Sequence, residues 1–253
     1  MLSLFKRWRE RRVLERHPIA EADWRLAVAE SSCLQRLSAS EQARLRVLAT
    51  FLLHQKALEP VQGLSLTSAR AARLAALACL PILNLGLHWY RDWHSIVLYP
   101  DLFVPRREVV DGAGVVHRSH AVLEGEAWQR GPVILSWAGI AASGHPPGHN
   151  VVIHEMAHKL DMLNGEANGF PPLHGRMRRR AWSHSFQAAY RVLEQQVAVG
   201  SAPTLDPYAL QNPGEFFAVS SEVFFETPRV LRDFDPELYK QLTLFYKQQP
   251  LAD

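Results

Sequence analysis

Residues 154–158 read His-Glu-Met-Ala-His. Two histidines four apart on a helix stand on one face, one turn from each other, so both imidazoles can reach a single metal ion. Glu155 points about 100° around the helix from His154, which sets its carboxylate beside such an ion rather than on it. From there it can take a proton from a metal-bound water. Val151, Val152 and Ile153 ahead of the motif, with Met156, Ala157 and Leu160, leave the packing positions uncharged. The spacing predicts a buried, water-poor helix that carries a hydrolytic zinc ion. The competing account is a core helix with two surface histidines.

A catalytic zinc usually takes three protein ligands and keeps one position open. Asp161 and Asn164 stand where one large metalloprotease group continues with glycine and histidine, so the third ligand must come from farther along. Glu215 is the leading candidate, in a helix start where Asn212 can cap and Pro213 occupies the first turn. Asn-x-x-Glu is also a capping pattern, in which Glu215 would only satisfy the Asn212 backbone. Glu222 returns to nearly the same helical face, and His174 and His184 are further alternatives. Tyr208, after Pro207, can donate to the oxyanion of a tetrahedral intermediate or can simply pack. Asp161 can brace a metal-bound histidine through its free ring N–H. His145 and His149 lack ligand spacing with His154, and Arg176 to Arg180 reads as a solvated helix face.

These groups need elements to hold them. Helices are expected from Ser40, as cap, to Leu58, and from Thr67 or Ser68 to about Pro81. Between residues 94 and 137 the period changes to short β-branched or aromatic runs, at 94–99, 101–104, 114–117 and 132–137. Residues 144–148 form a turn-rich loop, and Asn150 can cap the motif helix. After an irregular stretch from Asn164 to Gly175, helices follow at about 177–197, at 213–226 and near the C-terminus. The expectation is a single α+β unit over 1–253: an N-terminal helical part, a small mixed sheet, the active-site helix and a C-terminal helical part. Residues 1–16 form a basic, flexible segment.

The chain has 253 residues, of which 47% are hydrophobic and 21% charged, which excludes wholesale disorder. A net charge of +3 is too mild to argue for nucleic acid. Cys33 and Cys79 belong to no Cys-x-x-Cys pair, which argues against a disulfide framework or a zinc knuckle. The N-terminus lacks the apolar stretch of a signal peptide, and Leu74 to Leu83 is too short to span a bilayer. No membrane role and a cytoplasmic location are expected. The chain carries no phosphate-binding glycine loop and no nucleophile elbow.

Several stretches together resemble the family of Mlc titration factor A, bacterial cytosolic zinc metallopeptidases. They are Leu58 to Arg70 with its Val-Gln-Gly core, Cys79 to Tyr90, Gly131 to Trp137, Val152 to Asp161, Asn164-Gly165 and Pro213 to Phe225. The likeness runs from about residue 40 to the C-terminus. It implies a zincin-like fold whose catalytic core is similar to the anthrax lethal factor protease domain. In both, a tyrosine sits seven residues before the zinc-binding glutamate. The resemblance therefore carries the zinc ligands to His154, His158 and Glu215, the general base to Glu155 and the oxyanion donor to Tyr208. It further implies aminopeptidase-like activity on a peptide substrate, and transcription regulation by binding an Mlc-type glucose repressor. By analogy with zincins, residues 132–137 would form the sheet edge along which a peptide pairs.

Overall fold

The computed structural model describes residues 11–102, 107–110, 116–119, 124–128 and 131–251. The first ten residues of the basic N-terminal segment, the second half of the strand expected at 101–104 and the first half of the one expected at 114–117 lie outside them.

The described part of the basic segment, residues 11–16, is helical rather than loose, and three helices follow it: α1 (Glu21–Ala29), α2 (Ser32–Gln35) and α3 (Ala39–Gln55). The cap of α3 is Ser38, not Ser40. Its hydroxyl accepts from the Glu41 N–H at 3.3 Å while the Glu41 carboxylate accepts the Ser38 N–H at 2.9 Å. This reciprocal box satisfies two otherwise orphaned donors, which Ser40 could not do from inside the first turn. The helix ends at Gln55, and Ala57–Pro60 leaves it as strand β1. Helix α4 (Ser68–Cys79) starts under a Thr67 cap and buries every residue from Ala72 to Cys79.

Strands β2 (Ser95–Tyr99), β5 (Gly125–Ala127) and β6 (Val133–Ser136) join β1 in a four-stranded sheet of order β1-β2-β6-β5. The first three run parallel, and β5 pairs antiparallel with β6. Strands β3 (Arg107–Val110) and β4 (Val116–Ser119) form a separate antiparallel pair. Residues 132–137 are therefore not the sheet edge. Strand β6 is interior, with Val97 opposite Ile134 on one side and Gly125 opposite Leu135 on the other. The outer strand at that end, among the described residues, is β5.

A short helix α5 (Trp137–Ala142) leads into α6 (Val151–Asp161), which packs against β5, β6 and α4. Val152, Ile153, Met156, Ala157 and Leu160 of α6 are completely buried, as the motif's uncharged flanks require. The C-terminal part comprises α7 (Arg179–Ala198), α8 (Pro213–Glu226), α9 (Pro228–Phe234) and α10 (Pro236–Tyr246). Trp182 and Phe186 of α7 stack at 4.2 Å between ring centres, and Phe217 of α8 meets Phe245 of α10 at 5.8 Å. This aromatic cluster fixes α8 against its neighbours. The fold is α+β with a small mixed sheet. Among the described residues no helix is long and apolar enough to cross a membrane.

Candidate metal centre

Helix α6 is started and aimed by Asn150. Its side-chain oxygen accepts the Ile153 N–H at 3.1 Å, its side-chain NH2 donates to Glu226 at 2.6 Å, and its backbone N–H donates to Glu222 at 2.5 Å. The first turn of α6 is thus bonded to the last turns of α8, so the two helices run antiparallel. Helix α8 starts under Asn212, whose side chain accepts the Glu215 backbone N–H at 3.0 Å. That cap uses the backbone of Glu215 and leaves its carboxylate free. The Gly-rich loop before α7 lies directly on this start: a Cβ at Gly169 would stand 2.5 Å from the Pro213 carbonyl oxygen, and φ there is +74°. Only glycine tolerates both conditions.

The antiparallel pair brings three donor atoms together. The Glu215 Oε2 atom is 3.0 Å from His154 Nε2 and 3.3 Å from His158 Nε2, and the two ring nitrogens are 3.1 Å apart. Donors around a tetrahedral ion with bonds of about 2.0–2.1 Å would stand roughly 3.3 Å apart. The residues present therefore fit a metal such as zinc in both donor type and spacing. Their side chains keep 11–16% of their surface accessible, which recesses the site without sealing it. Among the described residues this is the one group of His, Cys, Asp and Glu with such convergence.

Glu155 is buried, and its Oε2 atom has no hydrogen-bond partner. Burial raises its pKa, with His154 and His158 pulling the other way. Burial also works against the Glu215 carboxylate, yet hydrogen bonds from His154 and His158 outweigh it and hold the group at about 2. Tyr208 sits on a short 3-10 turn, Pro207–Leu210, with its N–H bonded to Asp206 at 2.8 Å. Its ring centre is 6.1 Å from that of His154 and the residue is 40% exposed. Burial of the phenol, then the Glu215 charge, raise its pKa to about 12, so at neutral pH it is a hydrogen-bond donor.

Glu222 does not join the three donors. One of its oxygens is 2.7 Å from His154 Nδ1, which assigns the ring proton to that nitrogen and turns Nε2 toward Glu215. The other oxygen meets the Asn150 N–H and, at 3.1 Å, His149 Nδ1. His149 Nε2 reaches Glu124 at 2.6 Å. Held first by Glu222 and then by Glu124, His149 has its pKa raised to about 9 against the cost of burial. The bracing role expected of Asp161 thus falls to Glu222. The Asp161 carboxylate, fully buried, takes the Gly169 N–H at 2.7 Å instead. His174 is bonded to the Phe245 carbonyl and His184 is exposed, so neither joins the site.

Gly125 gave no signal in the sequence, yet it lies against the motif. A Cβ there would stand 2.7 Å from Glu155 Oε1. The flanking bonds of β5, Ser136 N–H to Glu124 O at 2.8 Å and Trp128 N–H to Pro132 O at 3.3 Å, fix the phase of the ladder. Alternation then turns the N–H and C=O of Gly125 and Ala127 away from β6, toward the side of the sheet that is its outer edge among the described residues.

A helix-borne His-x-x-x-His pair closed by a glutamate from a second helix, with a spare carboxylate beside it, defines a metallopeptidase-type site. The chain belongs to the family described as glucose-regulated metallo-peptidase M90, whose model matches residues 5–247. It is similar to Mlc titration factor A of Klebsiella pneumoniae strain 342, with 41% identity covering 92% of this chain and 88% of the relative. The protein of that name from Salmonella arizonae is 43% identical over 86% of this chain and 87% of its own length.

Proposed function

We propose that this chain is a zinc-dependent peptidase built as one zincin-like domain over 1–253 and working in the cytoplasm. The observation that carries the reading is the convergence of His154, His158 and Glu215 beside the unpartnered carboxylate of Glu155. These three residues would hold Zn2+, which when bound supplies a Lewis acid for the scissile carbonyl and for water. Glu155 Oε2 takes the proton of the attacking water and returns it to the leaving amine nitrogen. The Tyr208 hydroxyl donates to the oxyanion as the carbonyl carbon becomes tetrahedral. The outward N–H and C=O groups of Gly125 and Ala127 offer an extended peptide a main-chain edge within reach of Glu155. Aminopeptidase-like action is the form the family resemblance favours.

Cleavage of a peptide library by the zinc-loaded protein, read by mass spectrometry, tests the reading against Glu155→Gln. The variant should keep zinc and lose about 10²–10⁴-fold in rate. Equal cleavage by both forms would refute the mechanism.

The relatives' name favours a second reading, a protein that binds an Mlc-type glucose repressor and so regulates transcription, with the metal structural or vestigial. A structural site closes its fourth position and has no use for a free carboxylate beside the metal, which argues for chemistry. Both functions can coexist. Calorimetry with an Mlc-type repressor should then give the same affinity for Glu155→Gln as for wild type. Loss of binding together with catalysis would mean that regulation comes from cleavage.

A further inference from the structure

The facing stripes of α6 and α8 do not end at the metal centre. On α6 the stripe is Val151, His154, Glu155 and His158, and on α8 it is Glu215, Val219, Glu222 and Val223, at the i, i+3/i+4, i+7/i+8 spacing of one helix face. Because the helices are antiparallel, the metal donors gather at one end and the valines at the other. Beside them opens a cavity of about 640 Å³ lined by His154 and Glu155 at its buried end and by Tyr208 and Val230 of α9, 40% and 41% exposed, at its mouth. The loop before α6 closes a further wall. A Cβ at Gly148 would meet Thr227 Oγ1 at 3.2 Å and Val223 Cγ2 at 3.4 Å, so this backbone lies directly on the end of α8.

The lining has a definite chemical character. Val151, Val219 and Val223 are buried, whereas Val230 is 41% exposed, so the apolar surface deepens inward from the mouth. The lining also carries Glu124, Asp206 and Glu222 but, among the described residues, no lysine or arginine. Of its two histidines, His154 is one of the three converging donors and His149 is already bonded to both Glu124 and Glu222. An acidic side chain placed here would lose water beside carboxylates with no free counter-charge. An apolar one would trade water for valine methyl groups.

We infer that this cavity is the specificity subsite of the enzyme: it receives the side chain of a substrate residue flanking the scissile bond, and it selects medium to large apolar side chains over acidic ones. The inference rests on the peptidase reading, since the inner end of the cavity is the proposed reaction centre. Val230, exposed at the mouth, is the specificity determinant most open to substitution without loss of fold.

Two measurements separate this inference from the peptidase reading itself. In the first, the library cleaved by the zinc-loaded protein should show Leu, Met or Phe at one position next to the cut, about 10-fold or more over Asp and Glu. In the second, calorimetry compares two short peptide hydroxamates that differ only in a leucine or aspartate side chain. The leucine compound should bind at least ~10-fold more tightly, and Val230→Asp should erase most of that ratio while zinc content and melting temperature stay at wild-type values. Should Val230→Asp fail to fold, Val230→Thr, close in shape, serves in its place with a smaller loss of preference. Cleavage without an apolar preference, or hydroxamates bound equally or not at all, overturns the subsite. Leucine-selective hydroxamate binding with no cleavage of any peptide keeps the subsite and overturns the peptidase.

Discussion

Substituting Gly125 by alanine isolates the contact between the sheet edge and the general base. The added methyl would stand 2.7 Å from Oε1 and 2.8 Å from Cγ of Glu155, and 2.8 Å from Cγ2 of Val151. Ordinary carbon contacts begin near about 3.5 Å, so something must move by roughly 0.8 Å. Val151 is buried and helix α6 is bonded to α8 through Asn150, so the Glu155 side chain and the short strand β5 must absorb the shift. Overpacking by one methyl costs about 1–3 kcal/mol, a fall in melting temperature of roughly 2–12 °C for a domain of this size. A misplacement approaching 1 Å at a catalytic group costs on the order of 10²-fold, so kcat/KM should fall by ~10–10²-fold with zinc content unchanged. Gly175→Ala is the control, because a Cβ there meets nothing within 4 Å. Steady-state peptide cleavage, elemental analysis and a thermal melt on both variants decide the matter. If Gly125→Ala kept kcat/KM within about twofold of wild type, the placement of β5 on Glu155 would be wrong.

Elemental analysis should find about one zinc per chain in wild type and little in Glu215→Gln. Glu222→Gln should bind zinc ~10–10²-fold more weakly, because it loses the carboxylate that braces His154, and with it the charge facing His149, but no metal donor. Full retention in Glu215→Gln with complete loss in Glu222→Gln would reverse the two roles. Tyr208→Phe should lower kcat by about 10²-fold with KM nearly unchanged, as expected of a donor to the developing oxyanion. A pure KM effect would reduce Tyr208 to a binding contact.

The parts of the fold that could be read from sequence are those with a strong local cause. The buried run around His154, the Asn150 and Asn212 caps, and the α4 helix from its Thr67 cap all follow from periodicity and side-chain hydrogen bonding, and all stand where expected. Strand β1 was hidden because Ala57-Leu-Glu-Pro60 has three exposed positions and no β-branched residue, so it reads as the tail of α3. Strand β5 was hidden for a similar reason: Gly-Glu-Ala has no intrinsic strand preference, and only pairing with β6 makes it one. That strand in turn displaced residues 132–137 from the expected edge. Around the metal centre, spacing alone pointed to the two histidines, whereas the division of labour between Glu215 and Glu222 depends on which side of His154 each reaches. His149 could not be assigned from sequence, since its partners Glu124 and Glu222 come from a strand end and a distant helix.

The charge balance of the site gives the peptidase reading its physical coherence. Glu155, Glu215 and Glu222 bring three carboxylates to His154 in largely buried surroundings. With the Nδ1 proton of His154 given to Glu222 at 2.7 Å, a neutral ring presents the Nε2 lone pair to the Glu215 oxygen at 3.0 Å. Two acceptors cannot sit face to face in a poorly solvated site, so a positive charge must stand between them. Protonation of the ring supplies it in part, and the carboxylates do raise the His154 pKa despite burial. A divalent ion held by His154, His158 and Glu215 would supply it fully and would leave Glu222 holding the same ring proton. His149, held between Glu222 and Glu124, offsets the second carboxylate without touching the donors. Glu155 Oε2 is then left buried without a hydrogen bond, a costly arrangement for a scaffold and a useful one for a group that must accept and return a proton.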